Sequence, residues 1–394
     1  MKRALLMTVG TGVGRSSQQV QSLANGLVKS ILHYKGDVNI LFGSELSKNT
    51  VKYMEEIYQK RENSPFNYDF VTLQDVDRFE ECFQKIRQVI KEYSDYEVII
   101  DYTSGTKTMT MSAAIASVLY HKDLTLVSGE RGDNGLVSMH TEEIKTQSLY
   151  SAYDEILMDK MKEAFNNYRY DSALSFLDEM VNVDKRESYQ NLIQAYNYWD
   201  KFNHEAAFEL IKNIDMPIDT SNKEFIGMLI NSRDFKEYYH LADLLNNSKR
   251  RFMEGKYDDA LARLYRAVEF ISQTRLKMEY GIDTSDVELE LVPDFAREQY
   301  SRKEKSGKIT IGLREGYKLL RQLGDDIGSS YFQDKRFIDL LNKRNRSILA
   351  HGFTPVTDEN LDELEELRDK VMYFASLLYS EIDDLMKKAE FMKI

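Results

Sequence analysis

Five short runs of branched apolar residues lead the chain: "ALLMTV", "VNILFGSE", "FVTLQ", "YEVIIDYT" and "LTLVSGE". Between them lie longer segments, such as "SSQQVQSLANGLVKSILHY" and "DRFEECFQKIRQVIKEY", in which apolar side chains return every three or four positions. A near-continuous apolar strand is buried on both faces. Such strands alternating with amphipathic helices predict a parallel sheet covered on both sides. Residues 1–150 therefore read as one α/β domain.

From about Ser151 the strand signals nearly vanish and the helical period takes over. Three segments look alike: "YDSALSFL" from Tyr170, "FNHEAAFELI" from Phe202 and "YDDALARLYRAVEF" from Tyr257. Each sets an aromatic three or four residues before a small alanine that lets a neighbouring helix come close. Stacked helical hairpins follow, with spacing too irregular for a solenoid. Pro217 with "DTSNKEF" marks a break, "LLNNSKRRFMEGKY" opens the last region, and Pro293 with "SRKEKSGK" marks a long loop inside it. The expected fold class is α/β plus all-α, divided as 1–150, a helical insert at 151–245, and an all-helical domain at 246–394.

Composition narrows the class. The 394 residues are 42% hydrophobic and 30% charged, the balance of a folded chain. No apolar run reaches the ~18 residues of a membrane span. "MKRALLMTVGTGVG" is too short in apolar residues for a signal peptide, so a cytoplasmic protein is expected. Cys82 stands alone, which excludes an internal disulfide and a cysteine-rich zinc site, and no metal is expected. The net charge of −12 argues against DNA and against a protein that coats nucleic acid. RNA contact would have to be local. One local asymmetry exists: "KRFIDLLNKRNR" is basic and "TDENLDELEELRD" just after it is acidic.

Two loops carry ligand chemistry. "LLMTVGTGVGRSS" leaves a strand at Val9 and meets glycines at 10, 12 and 14. "IIDYTSGTKTMTMSAA" leaves another near Asp101 and enters a helix. Open parallel sheets bind ligands beyond the carboxyl ends of their strands, at the switch point. Glycines admit a phosphate to the backbone, and a helix N-terminus offers free N–H groups. Thr103, Ser104, Thr106 and Thr108 add hydroxyls, and Lys107 adds a cation. The spacing fits neither the dinucleotide fingerprint nor the Walker loop, so no standard dehydrogenase or ATPase follows. Tight strand-to-helix turns alone would also explain a single such loop.

The second constellation is "LLNKRNRSILAHGF". With six histidines, an arginine four to six residues ahead of one of them is expected about once by chance. "RDFKEYYH" supplies a decoy in Arg233 and His240. The helix is expected to run to a stop at Gly352, so Arg344 and His351 share a face, about 20° apart, and Arg346 points about 140° away from His351 unless the helix ends early. Cations at a helix C-terminus are favourable on their own, but the dipole asks for no histidine or asparagine. Histidine can move a proton at neutral pH, and arginine can neutralise a pentacoordinate phosphate bidentately. Together they suit RNA cleavage by 2′-OH attack, which leaves a 2′,3′-cyclic phosphate. One histidine serves poorly as both base and acid; a two-fold dimer would supply two.

The first half resembles a CRISPR-associated Rossmann-fold (CARF) sensor, through "VGTGVG" and "DYTSGTKTM". The last region resembles a HEPN ribonuclease domain, through "YDDALARLYRAVEF" and "RNRSILAHG". The chain thus resembles the ancillary ribonucleases of type III CRISPR systems. That resemblance implies a homodimer whose CARF pair binds a cyclic oligoadenylate and whose HEPN pair then cuts single-stranded RNA. It puts Arg344, Asn345 and His351 in catalytic positions, with Arg346 as the other arginine the motif allows. It puts Gly10, Thr11, Gly12, Thr103, Ser104, Gly105, Thr106, Lys107 and Thr108 in ligand positions. No cofactor beyond the activator is implied. Two other readings stay open: a non-catalytic nucleotide-sensing regulator, and a small-molecule nucleotide enzyme using the first site alone.

Overall fold

The structure is a computed structural model that describes residues 2–12, 17–130, 137, 141–233, 235–350 and 352–394, without the side chains of 346 and 358. The chain divides into a first unit, Met1–Leu157 with Met180–Val183, and a second unit, Met158–Glu179 with Asp184–Ile394.

In the first unit β1 (Arg3–Thr8), β2 (Val38–Gly43), β3 (Asp69–Thr72), β4 (Glu97–Asp101), β5 (Asp123–Ser128) and β6 (Glu143–Gln147) form one sheet. The helices are α1 (Ser17–Tyr34), α2 (Lys48–Glu62), α3 (Phe79–Glu92) and α4 (Lys107–Leu119). The strand order is β3-β2-β1-β4-β5-β6. The first five strands pair in parallel, as the apolar runs predict. β6 pairs antiparallel with β5 and was not expected. Its sequence, "EIKTQ", lies mostly exposed on the sheet edge and needs no apolar run.

Successive side chains of β1 point to opposite faces. Leu5 and Met7 pack with Leu27, Val28 and Met54 of α1 and α2. Ala4 and Leu6 pack with Ile86, Ile90, Ala113 and Ala116 of α3 and α4. The central strands are thus fixed from both sides. The order reverses between β1 and β4, so the loops that leave these two strands flank the switch point.

The remaining helices are α5 (Tyr150–Asn166), which begins in the first unit, α6 (Tyr170–Glu179), α7 (Arg186–Asp200), α8 (His204–Ile211), α9 (Thr220–Asn231), α10 (Lys236–Met253), α11 (Tyr257–Tyr280) and α12 (Asp294–Ser301). After the hairpin β7 (Glu304–Lys305) and β8 (Lys308–Ile309) come α13 (Leu313–Gln322), α14 (Asp326–Gln333), α15 (Lys335–Lys343), α16 (Leu361–Leu378) and α17 (Ile382–Lys388). The aromatic–alanine segments open α6, follow into α8 and open α11. The alanines at that spacing in the first and third segments, Ala173 and Ala260, are buried as close helix approach requires; in the second, Ala206 is half-buried and its neighbour Ala207 is the buried one. The expected long loop at "SRKEKSGK" is instead β7–β8. Ser306 and Gly307 both have positive φ, at 53° and 79°, which matches the two-residue turn of a tight hairpin.

Buried charge ties the second unit together. Asp200 accepts from Arg250 Nε at 2.7 Å and from Arg251 at 2.5 Å. Asp243 accepts from the Trp199 indole at 3.2 Å and meets His204 at 2.7 Å. Asn222 donates to the carbonyls of Lys388 and Glu390 at 3.0 and 2.8 Å, clasping the C-terminal segment to α9.

Candidate functional site

The two glycine loops meet over the carboxyl ends of β1 and β4. A Cβ on Gly10 would lie 3.0 Å from both Gly105 N and Ser104 Oγ, so the loops touch backbone to backbone. Gly12 has φ +81° and Gly105 φ +123°, conformations that L side chains rarely adopt. Short bonds fix the arrangement. Gly10 N–H donates to Ser104 Oγ at 2.9 Å, Thr50 Oγ1 to Gly10 O at 2.8 Å, and Thr103 N–H to Asp101 Oδ1 at 2.8 Å. Thr8 Oγ1 donates to Ser104 O. Asp101 is fully buried, which pushes its carboxyl up, against the pull of the Thr103 bond. Thr106 caps α4 by accepting from Met109 N–H at 3.2 Å.

Beside these loops lies a cavity of about 550 Å³, the size class of small-molecule sites. Gly10, Thr11, Gly12, Thr103, Ser104, Gly105 and Thr106 all line it. Lys107 and Thr108 do not; Lys107 is exposed on the first turn of α4. Gly14 lies outside the described residues. The hydroxyls are partly spent on the protein. Thr106 Oγ1 donates to Val76 O at 2.7 Å, and Thr103 Oγ1 accepts from Val127 N–H at 2.7 Å. The lining also holds Ser44, Asp77, Gln19 and Glu142, which the sequence reading missed. Ser44 directly follows β2 and Asp77 follows β3, so the rule of strand carboxyl ends could have found both. Among the described residues no lysine or arginine lines the cavity, and two carboxylates do. The interior therefore suits hydrogen-bond donors better than a bare anion.

In the second unit, α15 ends at Lys343 and Arg344–Arg346 form one turn of 3-10 helix. Ser347 is extended (φ −78°, ψ 163°) and buried. The N–H groups of Ala350 and Gly352 close back on its carbonyl at 3.1 and 3.2 Å. The expected helix through to Gly352 is thus corrected. The apolar Ile348 and Leu349 beyond the turn are 63% and 44% exposed. The shared helix face of Arg344 and His351 falls with it. His351 and the side chain of Arg346 lie outside the described residues.

What the turn does place is Arg344. The basic α15 and acidic α16 pair with each other: Arg336 meets Glu366 at 2.8 Å and Glu363 at 3.5 Å, and Lys343 meets Glu363. Lys343 thereby holds the Glu363 carboxyl below its ordinary value. Arg344 takes no part. Its guanidinium sits 4.7 Å from the centre of the Tyr265 ring, and its Nε is buried with no oxygen partner among the described residues. Asn345 beside it is exposed. The decoy differs in kind: His240 lies 5.5 Å from the buried His204, and burial pushes its imidazole down. Among the described residues no group of three or more His, Cys, Asp or Glu could hold a metal ion, and no helix is long and apolar enough to cross a membrane.

The family model for the Csm6 6H domain matches residues 153–237, and that for the Csm6 HEPN domain matches residues 230–378. No curated protein matches the sequence. Among solved structures, Enterococcus italicus Csm6 bound to cyclic hexa-2′-fluoro-hexa-dAMP aligns over 99% of this chain and 99% of that one, at 14% identity and a TM-score of 0.70. Can2 from Sulfobacillus thermosulfidooxidans in complex with cyclic tetra-adenylate aligns over 72% and 70% of the two chains, at 12% identity. Its TM-score of 0.26 is too low to bear on the fold. With two Csm6 domain models in succession and the Csm6 fold along its length, the chain belongs to the Csm6 family of CARF–HEPN proteins of type III CRISPR systems.

Proposed function

We propose that the chain is a cytoplasmic, homodimeric endoribonuclease of antiviral defence, specific for single-stranded RNA and switched on by a cyclic oligoadenylate. The observation that carries the reading is the pairing of two sites in one chain. One unit has a glycine-lined cavity at a sheet switch point, and the other has an arginine without a carboxylate in the segment that matches a HEPN domain. The cyclic hexanucleotide bound to Enterococcus italicus Csm6 supports a cyclic oligonucleotide as the activator. The domains are taken as a sensor at 1–150, a helical insert at 151–245 and a nuclease at 246–394.

In this mechanism the RNA 2′-OH attacks the adjacent phosphorus while His351 handles the proton. Arg344 neutralises the phosphorane, with Asn345 and Arg346 positioning the strand. The bond to the 5′-oxygen breaks, leaving a 2′,3′-cyclic phosphate. A second copy supplies the second histidine. Two exposed apolar surfaces fit such a copy: Met111, Ile115 and Leu119 along α4, and Ile348, Leu349 and the 91% exposed Phe353 beside the arginine turn.

The test is a fluorescent single-stranded RNA incubated with EDTA, with and without cyclic tetra- or hexa-adenylate. Cleavage is expected only with activator, and EDTA should not reduce it. Complete inhibition by EDTA, restored by Mg²⁺, would overturn the metal-independent mechanism. A protein that binds the ring and never cuts RNA would be the non-catalytic regulator instead.

A ring of several nucleotides exceeds a cavity of about 550 Å³, so part of it must lie outside, where Lys107 stands exposed. Lys107→Ala is expected to raise the half-maximal activator concentration roughly tenfold, because a charge-assisted phosphate contact is lost. Turnover at saturation should not change. An activation curve that stays in place would remove Lys107 from the ligand site.

A further inference from the structure

We infer that Tyr265 is the positioning residue for Arg344: its ring holds the guanidinium in place while leaving the N–H donors free for the scissile phosphate. The inference rests on the proposed catalytic role of Arg344.

A phosphate-binding arginine faces conflicting demands. Its long side chain must be held, or the entropy of ordering it is lost at each turnover. The usual clamp is a carboxylate, but a carboxylate occupies the same N–H fork that a phosphate needs and cancels the charge. An aromatic face avoids both costs. It attracts the cation through the ring quadrupole and takes up none of the in-plane donors.

The surroundings of Arg344 match this solution. The guanidinium lies 4.7 Å from the Tyr265 centroid. Among the described residues Arg344 forms no ion pair, and two carboxylates of the flanking helices are engaged with other cations: Glu363 with Lys343 and Arg336, and Glu269, one turn along α11 from Tyr265, with Arg266 at 2.8 Å. The platform itself is braced. Val268, three residues on along α11, accepts a hydrogen bond from Tyr317 Oη at 2.8 Å, and Tyr317 stacks on Tyr331 at 4.1 Å. Tyr265 itself is half-buried.

The experiment measures activated RNA cleavage for wild type, Tyr265→Phe, Tyr265→Leu, Tyr265→Met, Arg344→Ala and the Tyr265→Leu/Arg344→Ala pair. Tyr265→Phe keeps the ring and should keep kcat within about twofold. Tyr265→Leu and Tyr265→Met lose the ring and should lower kcat roughly tenfold, with KM for RNA little changed. In the Arg344→Ala background, Tyr265→Leu should cost nothing further, since its effect runs through the arginine. Three outcomes would overturn the inference: full kcat in Leu and Met, a tenfold loss in Phe, or an undiminished further loss in the Arg344→Ala background. Should Leu and Met fail to fold, Tyr265→Trp, which offers a larger face, is expected to retain activity, and its loss would count against the ring. If Arg344→Ala itself cleaves at the wild-type rate, the proposed nuclease site fails rather than the platform.

Discussion

Replacing Arg344 with alanine is expected to lower activated RNA cleavage by at least ~10²-fold, the cost of removing a preorganised donor from a developing phosphorane. Binding of the activator should not change, because the variant touches the second unit only. His351→Ala should cost ~10²–10⁴ through loss of the proton-transfer group. Arg346→Ala should act differently, weakening RNA binding and flattening its salt dependence while leaving much of the turnover at saturating RNA. Two observations set Arg344 apart from Arg336 and Lys343. Neighbouring Arg336 and Lys343 are neutralised by α16, whereas Arg344 meets no carboxylate among the described residues. Its Nε is also buried with no hydrogen-bond partner among the described residues, so the fold has not committed it to an internal acceptor. Stopped-time cleavage of labelled RNA at saturating activator separates the variants. Equal and complete loss of turnover in Arg344→Ala and Arg346→Ala would show that the turn does not assign them different work. Activity lost in His240→Ala with His351→Ala intact would move the chemistry to the decoy.

The sheet was legible because its physics is local. A strand buried on both faces carries a near-continuous apolar run, and the middles of β1, β2 and β4 do. β6 escaped for the complementary reason: on an exposed edge nothing forces a pattern on it. The glycine loops were legible because a switch point depends on strand order and on residues that permit positive φ, and Gly12 and Gly105 have it. Glu142 was not, since a carboxylate in a loop has no pattern until the loop is folded. The end of α15 misled because apolar Ile348 and Leu349 keep the helical rhythm while facing solvent. Tyr265 was invisible for a further reason: its partner Arg344 is brought to it only by the packing of α11 against the arginine turn. The basic and acidic runs read as one local asymmetry and proved to be the two sides of a set of ion pairs between α15 and α16.

Gly105→Ala is expected to raise the half-maximal activator concentration roughly tenfold while leaving turnover at saturation unchanged. The reasoning starts from the backbone. Gly105 has φ +123°, and a Cβ there would meet Met109 Cβ at 3.2 Å and Thr8 Cβ at 3.3 Å. An L residue held in such a conformation costs ~1–3 kcal/mol. The free protein can escape the strain by shifting the loop, and Gly10 N–H then loses Ser104 Oγ, now 2.9 Å away. A ligand that needs the loop in its original place must restore the strain on binding. Its affinity falls by the strain that was relieved, and each ~1.4 kcal/mol is a factor of ten. The nuclease residues lie in the other unit, so a saturating ligand recovers full turnover. Gly281→Ala is the matched control. Gly281 also has positive φ, +68°, but ends α11 in the second unit and has nothing within 4 Å of a new Cβ. It should lower the melting temperature without moving the activation midpoint. Titrating cyclic tetra- and hexa-adenylate into wild type and both variants, with RNA cleavage as the readout, separates loop geometry from general destabilisation. A midpoint unmoved in Gly105→Ala would take this loop out of the sensor site. Equal shifts in both variants would mean that stability, not the cavity, sets the response.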